Sequence, residues 1–98
     1  MARFLDVDPR TLFVTTQRIQ GADPAKLQRQ IAKHGLSTAD MDPIWVEEDP
    51  DGRLVIMNGV TRATRVAKLL PGRLVRVEVI RQRTHPLAVR VTIADVLP

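Results

Sequence analysis

The stretch "MNGVTRATRVAKLL", Met57 to Leu70, decides how this chain is read. Leu54 to Met57 runs into it as an apolar segment and predicts a strand. Asn58-Gly59 then breaks the run with a turn signal. Beyond it Ala63, Val66, Ala67 and Leu70 recur at spacings of three and four, which predicts a helix over 61–70. Pro71-Gly72 stops that helix. A strand therefore enters a glycine turn and a helix leaves it. Two readings of the junction stand side by side. It is a tight turn with Thr61 capping the helix. Or it is a cradle for a phosphate. Glycine lets the backbone approach a ligand closely. The first N–H groups of a helix lack internal partners, and the helix dipole favours an anion there. In the second reading Asn58, Gly59, Thr61 and Arg62 hold the anion, Thr64 adds a hydroxyl, and Arg65 and Lys68 add positive field. The spacing fits neither G-x-x-x-x-G-K-[ST] nor G-x-G-x-x-G.

Working outward, "DPAKLQRQIAKHG" predicts a helix with Asp23 as N-cap, Pro24 in the first turn and Gly35 as C-cap. Leu27 and Ile31 share its apolar face. Ile44 to Glu47 and Leu54 to Met57 predict a hairpin around "EDPDG". "RLVRVEVIRQR" alternates, with Val75, Val77 and Val79 on one side. Phe4 to Val7, Thr11 to Thr16 and Leu87 to Ile93 also predict strands. Phe4, Phe13 and Trp45 are expected in the core. Strands and helices mix, so one α+β domain over residues 1–98 is expected: a small mixed sheet with two main helices.

Composition narrows the chemistry. There is no cysteine, which removes disulfides, thiol catalysis and cysteine-ligated zinc, and fits a cytoplasmic protein. His34 and His85 lie far apart, which argues against zinc; His34 reads as a partner of a helix C-terminus and His85 as a turn residue. No apolar run is long enough to span a membrane, and no leader-like apolar segment follows the start. Asp40, Asp42, Glu47, Glu48, Asp49 and Asp51 form an acidic band, read as solvated loop acids with a magnesium site as the functional alternative. No metal ligand is assigned. Arginine dominates the basic residues, twelve against three lysines. Residues 1–51 hold six basic and nine acidic side chains, a net of −3; residues 52–90 hold nine basic and one acidic, a net of +8. A basic half suggests an anionic partner. Arg73, Arg76, Arg81 and Arg83 are the candidates for nucleic-acid phosphates, with edge protection of the sheet as the alternative.

The order of these pieces resembles the ParB N-terminal domain and sulfiredoxin superfamily. Gln17-Arg18, "LQRQIAKHG", Pro43-Ile44-Trp45-Val46, Asp51-Gly52, Leu54-Val55-Ile56, Gly59-Val60-Thr61-Arg62, "ATRVAKLL" and "VRVEVI" follow that family's order. The resemblance runs from about Phe4 to Ile80. It implies a ParB/sulfiredoxin-like fold. It implies a nucleotide triphosphate, with magnesium, held by Gly59 and Arg62, with Arg18 as a second arginine nearby. Sulfiredoxins place cysteine at the position of Val60, so sulfinic-acid reduction is excluded here. Partition ParB proteins have Gly-Glu-Arg-Arg at the turn; Val60 and Thr61 replace the glutamate and the first arginine, which argues against hydrolysis. The expected function is nucleotide binding with a regulatory or DNA-associated output. The alternatives are a nucleic-acid-binding or nuclease-like ParB-type protein, and a ligand-free module for a protein partner or homodimer.

Overall fold

Alternation and helical period place the main elements. The computed structural model describes residues 2–98. Strand β1 (Arg3–Val7) is followed by short 3-10 turns at Pro9–Thr11 and Thr16–Arg18. Helix α1 (Pro24–His34), hairpin strands β2 (Ile44–Glu48) and β3 (Leu54–Asn58), helix α2 (Val60–Leu69) and strand β4 (Val75–Gln82) complete the frame. The sheet order is β1-β4-β2-β3. β2 runs parallel to β4, while β1 with β4 and β2 with β3 are antiparallel. This is a mixed sheet with two helices, a small α+β domain. Its radius of gyration, 12.7 Å, is that of a compact chain of this length. Among the described residues no helix is long and apolar enough to cross a membrane.

The core lies between α2 and one face of the sheet. Ile44 and Val77 face each other across β2 and β4, Val46 faces Ile56 across the hairpin, and Ala63, Val66 and Ala67 close over them from α2. The small side chains of α2 let the helix lie close to the sheet.

Two expected strands are not strands. Thr11 to Thr16 is clipped by 3-10 turns on both sides, leaving only residues 12–15 as an extended piece. Phe13 still pairs with the β3 edge, donating to the Leu54 carbonyl at 2.8 Å and accepting from Ile56 N at 2.8 Å. The 87–93 segment keeps its alternation, with Leu87 and Ile93 buried. It makes a single bridge, Thr92 to Phe13, because its neighbour is too short for a ladder. The aromatic expectation is also corrected. Phe4 and Trp45 are 47% exposed and Phe13 half-buried. Phe4 and Trp45 flank Glu78 in register, on the sheet face opposite the core.

The acidic band is not uniformly solvated. Asp49 is buried and builds the hairpin turn. Its Oδ1 accepts from Asp51 N at 3.0 Å and Arg53 N at 2.7 Å, and its Oδ2 from Leu87 N at 3.2 Å. Burial alone would raise this carboxyl's pKa. The bonds from Arg53, Leu87 and Asp51 outweigh that and hold it below its ordinary value of 3.8.

Candidate functional site

Helix α2 begins at Val60, one residue earlier than the spacing predicts, and Gly59 is its N-cap. Gly59 has φ +119°, and no side chain caps the helix. Thr61 is therefore inside the first turn and is not the cap, which corrects the turn reading. The position favours glycine on two counts. Its φ is left-handed, and a Cβ there would lie 2.8 Å from Arg62 Nη2 and 3.1 Å from Ile44 Cγ1. The first turn of α2, Gly59 to Arg62, which no side chain caps, lines a cleft of about 590 Å³. That volume is in the range of small-molecule sites.

Arg18, Asn58, Gly59, Thr61 and Arg62 all line this cleft. The 3-10 turn fixes Arg18, whose N–H donates to the Thr15 carbonyl at 2.9 Å. Asn58 ends β3 at the rim. Arg62 Nη2 donates to the Pro43 carbonyl at 3.3 Å, a long bond, and its Nε is buried without a partner. Its guanidinium is thus folded against the Gly59 turn and weakly held there.

Thr64 and Arg65 are not in the cleft. Thr64 is fully buried, and its hydroxyl donates back to the Val60 carbonyl at 2.7 Å. Arg65 is 1% exposed. Its Nη1 donates to the carbonyls of Gly35 at 2.8 Å and Ser37 at 2.9 Å, and its Nη2 touches Met41 Sδ at 3.8 Å. Burial lowers the pKa of this guanidinium. Both corrections have one cause: α2 is buried on every side over 63–67, so Thr64 turns back onto its own helix and Arg65 onto the end of α1. Lys68 reaches the Pro98 carbonyl instead.

The cleft also holds side chains that sequence reading passed over. Lys26, Arg29, Gln30 and Lys33 face it from α1. They stand at i, i+3, i+4 and i+7, one helical stripe beside the apolar pair Leu27 and Ile31. That spacing was the available signal. Net charge hid it, because α1 lies in the acidic half of the chain. Among the described residues Arg18, Lys26, Arg29 and Lys33 make no salt bridge. The carboxylate in the lining, Asp23, caps α1, accepting from Ala25 N at 2.8 Å and Lys26 N at 3.1 Å. Those bonds from Lys26 and Ala25 hold its pKa below the ordinary value.

The other arginines proposed as phosphate contacts stand elsewhere and are engaged. Arg76 pairs with Asp6 at 3.5 Å and lies over the Phe4 ring. Arg81 and Arg83 both pair with buried Glu47, at 3.1 and 3.0 Å. Arg73 donates to Thr38 Oγ1 at 3.3 Å. A second depression, of about 620 Å³, is lined by Asp6, Leu70, Pro71, Gly72, Arg73 and Leu74. It gathers one cation and one acid, so nothing in it converges on a charged ligand. Among the described residues no three His, Asp or Glu side chains group as a metal site. Compared with protein-family models, curated proteins and solved structures, the chain matches none of them.

Proposed function

We propose that this protein binds a nucleotide through its phosphates, in the cleft between α1 and the start of α2. One observation carries the reading. Five cationic side chains, Arg18, Lys26, Arg29, Lys33 and Arg62, face one small cleft together with the uncapped N-terminus of α2. Cations gathered at this density repel one another, so an anion that joins them gains from all of them at once. The backbone N–H groups supply directional bonds that the lysines cannot. Arg62, weakly held by Pro43, can swing its fork onto a phosphate at little cost.

The resemblance to the ParB N-terminal domain and sulfiredoxin superfamily supports the same reading, since its members hold nucleotide phosphates at the corresponding Gly-x-x-Arg turn. The role is binding with a regulatory output. Asp23 is engaged in capping α1 and Val60 offers no reactive group, so the phosphates are held and not attacked. Magnesium would enter on the triphosphate, its protein ligands being few here.

The test is thermal unfolding with and without CTP, ATP and GTP, each with magnesium, beside Arg62→Ala. A ligand of the folded state stabilises by about 2.7 kcal/mol at a hundredfold excess over its Kd. A midpoint rise in the wild type that disappears in the variant is expected. No rise with any nucleotide returns Asn58-Gly59 to a plain turn.

A further inference from the structure

The shape of the charge in the cleft says which part of a nucleotide it reads. The cations of α1 are not a point cluster. Lys26, Arg29 and Lys33 run along two turns of helix, about 10 Å along its axis. Arg62 and the start of α2 line the same cleft. A single phosphate can satisfy one end of such a row. A linear chain of phosphates can follow it.

The lining offers little to a base. The chain's three aromatics are Phe4, Phe13 and Trp45, and none of them lines the cleft. Stacking, the usual grip on a base, therefore has no platform there. The apolar lining is Ile56, itself buried, with Met57, Val60 and Ala22. The amides of Gln17, Gln30 and Asn58 are borne on flexible side chains and donate and accept alike, so they do not choose between bases.

We propose that the cleft recognises a linear polyphosphate chain, inorganic or the tail of a nucleotide, and is indifferent to the base. This rests on the phosphate-binding reading above. The chemistry is charge-assisted bonding along a row, so affinity grows with the number of phosphates engaged.

The experiment is calorimetric titration of the full chain at low salt with EDTA. The probes are orthophosphate, pyrophosphate, tripolyphosphate, CTP, ATP, GTP and an octathymidylate. The expected affinity climbs about tenfold or more from orthophosphate to tripolyphosphate. The three nucleotides and tripolyphosphate fall within about threefold of each other. Lys33→Gln, an exposed change at one end of the row, weakens tripolyphosphate by about threefold to tenfold and orthophosphate by a clearly smaller factor. One nucleotide bound about tenfold more tightly than tripolyphosphate and the other two overturns the inference and leaves the phosphate site standing. Affinity that does not rise with chain length, or a Lys33→Gln effect equal for all probes, also overturns it. An octathymidylate preferred over tripolyphosphate overturns it in favour of a nucleic-acid strand. If no probe binds here and no nucleotide with magnesium raises the unfolding midpoint, the phosphate site itself falls.

Discussion

Asp49 shows how one carboxylate can hold a hairpin together. Its three backbone bonds depress its pKa, so its stabilisation is complete above the ordinary value of 3.8 and is lost as pH falls through the lowered one. Asp49→Asn should therefore melt at a lower temperature at neutral pH. The gap from wild type should narrow in melts taken progressively below pH 4. A constant gap across that range would mean the charge is not what holds the turn. Gly59 is the second single-residue test. Gly59→Ala should cost about 1–2 kcal/mol from the left-handed backbone alone. It should also push Arg62 off its position and weaken phosphate binding, read by denaturant melts and titration on the same variant. The place of Gly59 as the start of α2 was legible from the sequence, because a turn signal between an apolar run and a helical period marks the junction. Thr64 and Arg65 were misread because proximity in sequence stands for proximity in space only until the helix turns them inward.

At the scale of elements, the helices and the hairpin were legible and two of the strands were not. A helix satisfies its own backbone, so its period and caps are local facts. A strand needs a partner of matching length, which the 87–93 segment lacks. The two helices meet at Arg65, whose guanidinium on α2 grips the end of α1 through the Gly35 and Ser37 carbonyls. This contact sets the distance between the cation stripe and the glycine turn. Arg65→Ala should cost about 3 kcal/mol, from two bonds to a charged donor at about 1.5 each. Phosphate affinity should drop as well, although Arg65 does not line the cleft. Arg65→Lys, which retains a charged donor, should recover part of both. If the Ala variant loses stability and binds phosphate normally, α1 is not positioned by this contact.

At the scale of the molecule, charge in space differs from charge along the chain. The +8 segment spends four of its arginines on contacts with Asp6, Glu47 and Thr38, while three cations that make no salt bridge among the described residues, Lys26, Arg29 and Lys33, stand on α1 in the acidic half. Affinity for any nucleic-acid strand should then follow Arg29→Gln and Lys33→Gln and ignore Arg76→Gln. Binding assays across a salt series test this, since each phosphate contact removed flattens the salt slope by about one. An unchanged slope in the α1 variants with a flattened one in Arg76→Gln would place the interface on β4. The final residues belong to the fold even without a strand. Ile93 is fully buried beside Leu12. Ile93→Ala should cost about 3 kcal/mol in a chemical melt. Trp45, misplaced in the core by its hydrophobicity, has a practical use where it stands. It is the sole tryptophan, there is no tyrosine, and its partner across the hairpin is Asn58 at the cleft rim. Ultraviolet emission from this protein comes from a single indole one strand away from Asn58, so a change in that emission on adding a ligand would report, in the unlabelled chain, a disturbance carried across the hairpin.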